Sequence, residues 1–258
     1  MRLINPYEIK VNLDQINLID RELKSIYRLI TFSRDHLADD LLDNLMREMD
    51  DLSDLVSIKN AQLEAFDEVE QKKHQVNLKL ALKYVFNEIR LQNKFHSSEQ
   101  LFDLYQLIAP EYYAGNPDQF RILPASKGKY NCPSGVLVPG LVRQLLQQMK
   151  HIHNPILKAI YFHHEFLRIH PFNGLNGLVS RVAKNWILLF ELYPPIYINS
   201  GPDKKLYLQT LSKSFENLQR DPNAYNSYTE AFFQQEIDRL HESVNLLKGK
   251  IFTDNHRC

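Results

Sequence analysis

The spacing of apolar residues is the feature of this chain that most restricts its fold. Long stretches of the 258 residues place an apolar side chain at every third or fourth position, which is the period of an amphipathic α-helix. The first of these stretches contains Leu13, Ile16, Ile19, Leu23, Ile26, Leu29 and Ile30. Only 8 residues are glycine, so few positions interrupt the pattern. We therefore predict an all-α protein.

The same period continues along most of the sequence. It predicts further helices over 41–63, 76–89, 101–108, 141–150, 156–169, 178–192, 204–218 and about 224–247. Asn154 followed by Pro155 is typical of a helix cap and first turn, and Asp203 is the predicted cap of the helix over 204–218. Pro194 and Pro195 are predicted to end the helix before them.

Residues 110–135 depart from this pattern. Proline, glycine, asparagine and serine cluster here, which disfavours a helix. The sequence QFRIL at 119–123 alternates polar and apolar residues, as a short extended segment does, and Gly128–Lys129 could turn the chain back toward Tyr130. We predict a loop or β-hairpin that projects from a helical body.

The charge balance and the cysteine content exclude several classes of protein. Thirty-one basic residues balance 31 acidic ones, so no net field attracts nucleic acid or an anionic membrane. The two cysteines, Cys132 and Cys258, lie far apart, which argues against a disulfide framework and fits a reducing compartment. The first residues lack an apolar stretch of signal-peptide length, and the apolar run at 186–190 is too short to span a bilayer. We expect a cytoplasmic protein without a membrane segment or a nucleic-acid-binding module.

Residues 170–181, HPFNGLNGLVSR, form a short polar interruption between two apolar helices. The start of a helix presents unpaired N–H groups and a partial positive charge, and both favour an anion such as phosphate. Gly174 and Gly177 allow a ligand to approach the backbone closely, and Arg181 lies just inside the second helix. His170 has the side chain of a general base near neutrality. This pattern suits deprotonation of a hydroxyl beside a bound phosphate, and a histidine packed at a helix end is the alternative.

The loop resembles the signature of the Fic (Fido-fold) family, H-x-F-x-D/E-G-N-G-R-x-x-R. The positions that fit are His170, Pro171, Phe172, Asn176, Gly177 and Arg181, with His163, Phe166 and Ile169 upstream. The resemblance covers about residues 76–240. It implies a helical Fic core with a short β-hairpin flap over 76–258, preceded by an N-terminal helical extension over 1–75.

The resemblance also implies an activity and a role for each matching residue. Fic enzymes typically transfer AMP from ATP to a protein hydroxyl, with Mg²⁺ as the cofactor. His170 would be the base that activates the hydroxyl, and Asn176 with the backbone near Gly177 would hold the α-phosphate. Arg181 would meet the terminal phosphate. The loop of the motif would be supported by Pro171, Phe172, Asn173 and Gly174. Among these, Phe172 would anchor the loop in the core.

The flap implied by the resemblance contains Phe120 and Arg121. In the family, a flap of this kind docks the target protein. Residues 119–123 would then pair with an extended segment of the target by strand addition. The expected partners are therefore a protein target and a nucleotide.

Three positions depart from the family signature. Gly174 stands where the family has an acidic residue that holds magnesium, Leu175 replaces a glycine, and Leu178 replaces the first arginine. Losing the carboxylate removes an oxygen ligand of the kind that Mg²⁺ prefers, and Asn173 offers only a neutral oxygen. Losing the arginine removes a bidentate phosphate partner. We expect no metal ligand here and a weak or lost AMP transfer, and the alternative is an inactive Fic-fold binding or regulatory module.

Two further patterns concern inhibition and metal binding. The inhibitory motif of the family, S/T-x-x-x-E-G/N, would place Asn60 at the glutamate position if aligned over 56–61, whereas SKSFEN at 212–217 supplies Glu216. Whether Glu216 inhibits is left open. The run from His163 to Arg168 does not match the zinc motif H-E-x-x-H, so His163 is expected to pack beneath the loop.

Overall fold

A computed structural model describes residues 1–32, 59, 67–221 and 226–254. Within these ranges the regular secondary structure is helical except for one short hairpin, as the apolar period predicted. The helices are α1 (Leu13–Phe32), α2 (Glu68–Arg90), α3 (Ser98–Ile108), α4 (Pro110–Ala114), α5 (Val138–Met149), α6 (Pro155–Ile169), α7 (Asn176–Phe190), α8 (Pro202–Arg220) and α9 (Ser227–Asp254). The strands are β1 (Ser126–Lys127) and β2 (Tyr130–Asn131), and 3₁₀ turns cover Pro6–Glu8 and Gly135–Leu137. Apart from Lys59, the helix predicted over 41–63 and the inhibitory alignment at 56–61 lie outside the described residues.

Local hydrogen bonds explain where two of the helices begin. At α3, the Ser97 hydroxyl accepts the N–H of Gln100 at 3.2 Å, and the Gln100 side chain accepts the N–H of Ser97 at 3.1 Å. This reciprocal pair is a capping box. At α6, Asn154 accepts the N–H of Leu157 at 3.0 Å, so the predicted cap is confirmed.

Three predicted boundaries were wrong. Asp203 does not cap α8, because Gly201 precedes the helix and Asp203 lies inside its first turn, where it accepts the N–H of Asn199 at 2.7 Å. α7 ends at Phe190, before Pro194, since Leu192 takes a left-handed backbone with φ 62°. Within 110–135, Pro110 opens the short helix α4, because proline fits the first turn of a helix.

α6 and α7 form the centre of the described structure and pack against each other. Nearly every side chain of both helices is buried, as expected for helices that are covered on all sides. In α7, Trp186 is fully buried, and the rings of Tyr84 and Phe95 lie 5.7 and 5.5 Å from its ring. The connection between the two helices, residues 170–175, is therefore held from both sides by the core.

A buried ion pair on α6 ties the first residues of the chain to the core. The Glu165 carboxylate accepts hydrogen bonds from Arg168 at 3.0 and 2.5 Å, from His164 at 2.8 Å, and from the N–H of Ile4 at 3.3 Å. Burial by itself would raise the pKa of Glu165, but Arg168 and His164 lower it to about 2. The carboxylate thus stays charged inside the protein.

The hairpin lies at residues 126–131, just after the predicted extended segment. Ser126 pairs with Asn131 and Lys127 with Tyr130 in an antiparallel ladder. Gly128, with φ +57°, takes the left-handed conformation that the tight turn requires. The turn at Gly128–Lys129 is therefore confirmed, whereas residues 119–123 form no strand.

The longer helices are not hydrophobic enough for a membrane. α1, α2 and α9 have 20, 23 and 28 residues, which is enough length for a bilayer. Charged residues occur throughout all three. In the described part of the chain, no helix combines the length and the apolar character needed to cross a membrane.

Candidate functional site

His170 lies at the junction between α6 and the loop that leads to α7. Its N–H donates to the carbonyl of Phe166 at 2.8 Å and ends α6, and its backbone is left-handed, with φ 52° and ψ 62°. A residue with a side chain seldom takes this conformation, although histidine does so more often than most. Such strain is common at functional sites.

Asn176, the first residue of α7, fastens the loop. Its side-chain oxygen accepts the N–H of Phe172 at 2.8 Å, and its Nδ2 donates to the carbonyl of Phe172 at 2.8 Å. The same Nδ2 lies 3.2 Å from Nε2 of His170. Only 1% of Asn176 is exposed, so this side chain joins the two ends of the loop from inside.

The surroundings of His170 keep it neutral. Burial, together with the positive charges of Lys127 and Arg121, lowers the pKa of His170 to about 3. A neutral imidazole has a nitrogen lone pair that can accept a proton, as a general base requires. Lys127 belongs to β1, so the hairpin contributes a charge that acts on the loop. Sequence reasoning missed Lys127 because its charge acts on His170 only through the packing of the hairpin against the loop.

The start of α7 presents backbone N–H groups that are not capped by a side chain. No side chain caps this helix, and the residue before it, Leu175, has a left-handed backbone with φ 54°. The N–H groups in the first turn of a helix have no partner within the helix and carry the positive end of its dipole. Gly177, in that turn, is only half-buried. The arrangement therefore suits a phosphate at this end of α7.

Gly174 is packed against an aromatic ring. A Cβ atom at this position would lie 2.9 Å from Cε1 and 3.0 Å from Cζ of Tyr112 in α4. The backbone does not demand glycine here, because the φ of Gly174 is not positive. The ring of Tyr112 therefore occupies the space into which an acidic side chain at 174 would extend.

The residues around the loop do not fit a magnesium ion. Mg²⁺ prefers carboxylate and other oxygen ligands in a near-octahedral arrangement. Gly174 has no side chain, and Asn173 offers a neutral amide from an exposed position. Among the described residues, no three histidine, cysteine, aspartate or glutamate side chains lie close enough to form a metal site.

Phe172 anchors the centre of the loop in the core. Only 1% of it is exposed, and its ring stacks on Tyr105 with a centroid distance of 4.0 Å. Three more rings, those of Phe102, Phe120 and Phe166, lie within 6.0 Å of it. Pro171, beside it, is also buried. The loop is thus positioned by aromatic packing on one side and by Asn176 on the other.

The structure places Arg121 and Phe120, the residues expected to dock a target, in contacts within the chain, and their docking role stays a prediction. Arg121 is 2% exposed, and its guanidinium donates to four carbonyl oxygens. These belong to His170 at 2.6 Å, Leu123 at 2.8 Å, Pro133 at 2.6 Å and Ile169 at 3.2 Å.

The backbone of this segment is also engaged inside the chain. The N–H of Arg121 donates to the carbonyl of Pro171 at 2.8 Å, and the ring of Phe120 packs on Phe102 with a centroid distance of 4.8 Å. Arg121 is enclosed by these contacts, whereas Phe120 is half-buried and keeps part of its ring at the surface. The exposed residues of the segment are Ile122 and Leu123, at 70% and 71% exposure.

Arg181 lies among buried polar groups beneath the loop. It is 3% exposed, and its positive charge lowers the pKa of His163 and of Lys184, in each case in addition to burial. His163 is fully buried, as predicted, and its ring nitrogens contact the hydroxyls of Ser180 at 2.7 Å and Tyr207 at 2.9 Å. The second half of the motif therefore faces the core.

Glu216 lies on α8, on the side of the hairpin. It accepts a hydrogen bond from Ser212 at 3.2 Å, and the Ser212 hydroxyl lies 4.0 Å from the point where a Cβ on Gly128 would stand. Another residue of α8, Gln219, accepts the N–H of Asn131 in β2 at 2.7 Å. The inhibitory role of Glu216 stays a prediction.

Comparison with curated proteins identifies relatives that share part of the chain. The protein adenylyltransferase Fic of Culex quinquefasciatus is 24% identical over 136 residues, and that of Aedes aegypti is 23% identical over 136 residues. Each alignment covers 51% of this chain and 27% of the relative. The match thus spans about a quarter of the length of these relatives.

Solved structures show a similar fold over most of the chain. A Fic-domain signalling protein from Bacteroides thetaiotaomicron matches with a TM-score of 0.66 and 18% identity, covering 91% of this chain and 98% of that protein. A Fic protein from C. elegans matches with a TM-score of 0.62 and 14% identity, covering 92% and 74%. Residues 95–188, which include the loop from His170 to Arg181, match the Fic/DOC family. This part of the chain therefore matches the Fic/DOC family, and the fold of the chain is similar to that of Fic proteins.

Proposed function

We propose that this chain is a nucleotidyl transferase of reduced activity, which transfers AMP from ATP to a hydroxyl of a protein. The observation that carries the proposal is the neutral His170 beside the uncapped start of α7. The first supplies a base and the second a phosphate site. The relatives that are named protein adenylyltransferases support the same reaction class.

In this reaction the target hydroxyl oxygen bonds to the α-phosphorus of ATP, and the bond from that phosphorus to the bridging oxygen breaks. Pyrophosphate leaves, and the hydroxyl proton passes to His170. Backbone N–H groups in the first turn of α7 stabilise the charge that develops on the α-phosphoryl oxygens. Arg181 contributes positive charge from beneath the loop.

Two substitutions account for the reduced rate. Gly174 offers no carboxylate to a metal, and Leu178 is a buried apolar residue where the family has an arginine. Removing one charge-stabilising group from a transfer site lowers the rate by about 10²–10³. The residual rate then depends on the base and on the backbone donors.

The test uses ATP labelled at the α-phosphate, with Mg²⁺ or Mn²⁺, and a cell lysate as the source of targets. We expect slow labelling that is absent from His170→Ala. His153→Ala is the matched control, because His153 is exposed and precedes α6. Equal labelling by wild type and His170→Ala, or none by either, would contradict a transferase.

The second candidate function is a binding or regulatory module without catalysis. It is favoured by Tyr112, whose ring lies where the acidic residue would extend. A thermal shift with ATP, read together with the labelling experiment, separates the two candidates. Stabilisation by ATP without labelling that depends on His170 supports the module.

The target would contact the exposed part of the flap, Ile122 and Leu123, and we place the protein in the cytoplasm. Both side chains are exposed while Arg121 beside them is fixed. Asp substitution at both positions should reduce labelling of lysate proteins and leave the thermal shift with ATP unchanged. Undiminished labelling would place target docking elsewhere.

A further inference from the structure

The amide group of Asn176 has one possible orientation. The N–H of Phe172 can only donate, so the atom 2.8 Å from it is the side-chain oxygen of Asn176. The carbonyl of Phe172 can only accept, so the atom 2.8 Å from it is Nδ2. The group that lies 3.2 Å from Nε2 of His170 is therefore an N–H donor.

This orientation restricts the protonation of His170. A proton on Nε2 would bring two N–H groups against each other over 3.2 Å. That excludes both the charged imidazolium and the neutral form with its proton on Nε2. The remaining form carries its proton on Nδ1, an atom that is buried and has no hydrogen-bond partner in the described structure.

The charged groups around the imidazole also favour its neutral form. Lys127 on β1 and Arg121 before the hairpin both place positive charge near His170. The guanidinium of Arg121 also donates to the carbonyl of His170 at 2.6 Å, which fixes the backbone on which the ring stands. The backbone of His170 is thus fixed independently of Asn176, and the amide of Asn176 contacts the ring and selects the nitrogen that carries the proton.

We propose that Asn176 is a positioning residue for His170, which holds the imidazole neutral, with its proton on Nδ1 and the lone pair of Nε2 occupied. The inference concerns the resting protein and does not depend on nucleotide transfer. If transfer occurs, Nε2 gains access to a hydroxyl proton only after the N–H of Asn176 has moved away from it.

The test is the ¹⁵N spectrum of protein labelled at histidine. Long-range ¹H–¹⁵N spectra distinguish protonated from unprotonated ring nitrogens, and comparison with His170→Gln assigns the signals. We expect an unprotonated Nε2 and a protonated Nδ1 that do not change between pH 8 and pH 5. A protonated Nε2, or a change in the protonation of either ring nitrogen between pH 8 and pH 5, would overturn the proposal.

Asn176→Asp separates this role from a purely structural one. A carboxylate can only accept, so the proton of His170 should move to Nε2. Asn185→Asp is the matched control, because Asn185 also lies in α7 and bonds the backbone N–H and carbonyl of Ile196 at 2.9 and 3.1 Å. It should leave the His170 signals unchanged. If Asn176→Asp fails to fold, the wild-type spectrum alone decides, and unchanged tautomers in a folded Asn176→Asp would refute the proposal.

Discussion

The ring of Tyr112 lies so close to Gly174 that a Cβ atom on Gly174 would be 2.9 Å from the ring. The two residues therefore form a matched pair, in which the small residue in the loop admits the large residue from α4. The backbone of Gly174 would accept a side chain, so the ring alone restricts this position.

The first prediction follows from this pair. Gly174→Asp alone should restore little Mg²⁺-dependent binding of ATP, because the new carboxylate starts in the space of the Tyr112 ring. Gly174→Asp combined with Tyr112→Ala should bind ATP about tenfold more tightly with Mg²⁺ than without it, a difference of about 1.4 kcal/mol. Titration calorimetry with and without EDTA measures the effect. Tyr112→Ala alone is the control, and equal Mg²⁺ responses in the single and double variants would show that the ring is no obstacle.

The second prediction concerns Arg121. Arg121→Ala leaves four carbonyl oxygens without their donor, and each buried unsatisfied group costs about 1–3 kcal/mol. Because the new space admits water to some of them, we expect a loss of about 3–5 kcal/mol in the free energy of unfolding. Urea unfolding measures it. Arg143→Ala, on the exposed face of α5, should change the stability by less than about 0.5 kcal/mol. Similar losses in the two variants would contradict the bracing role of Arg121.

The third prediction is a loss of stability as the pH falls. Burial lowers the pKa of His170 from 6.5 to about 3, and it also lowers the pKa of His163 and of His164. Below about pH 6.5 the unfolded chain binds protons that the folded protein excludes, so the contribution is complete above that pH and decreases below it. Each such histidine contributes a slope of up to about 1.4 kcal/mol per pH unit.

Urea unfolding at pH 7, 6 and 5 tests this dependence. His170→Gln should make the fall in the free energy of unfolding with decreasing pH less steep. The difference is the contribution of one histidine, up to about 1.4 kcal/mol per pH unit. His153→Gln, at an exposed position before α6, is the matched control. A slope that is the same in His170→Gln as in wild type would mean that His170 is protonated in the folded protein.

The fourth prediction concerns the buried pair of Glu165 and Arg168. Glu165→Leu leaves the cation of Arg168 without its carboxylate in the core, which costs about 3–5 kcal/mol. Adding Arg168→Met should recover part of this loss, since no uncompensated charge then remains. Thermal and urea unfolding measure both. The exposed pair of Lys94 and Glu191 supplies the comparison, in which Glu191→Leu should cost at most about 1 kcal/mol. A double variant as unstable as Glu165→Leu would contradict the argument.

Much of the fold could be predicted from the sequence, because helices depend on local pattern. The apolar period located α1, α2, α3, α5, α6, α7, α8 and α9, and the pair Asn154–Pro155 gave the start of α6. The boundaries that failed depended on single turns. Gly201 and Leu192 take positive φ values that no periodicity reveals, and Pro110 opened a short helix in a segment rich in turn residues.

The candidate loop was recognised because its signature is contiguous in the sequence. Residues 170–181 hold their chemistry within one short segment, so its resemblance to the Fic signature indicated His170, Asn176 and Arg181 as candidates. The partners of these residues could not be predicted. Lys127, Arg121 and Tyr112 reach the loop from β1, from the segment before it and from α4, and such contacts depend on how the helices pack.

The sequence by itself therefore determined the helical class, the resemblance of the loop to the Fic signature, and the glycine at 174 where that signature has an acidic residue. The tertiary structure decided that Tyr112 occupies the space beside Gly174, that Arg121 braces the loop from inside, and that Asn176 faces Nε2 of His170. The physical reason is the range of the interactions. Helix period and capping act within a few residues, whereas burial, ring packing and the choice of a hydrogen-bond partner depend on residues that meet only after the core has formed.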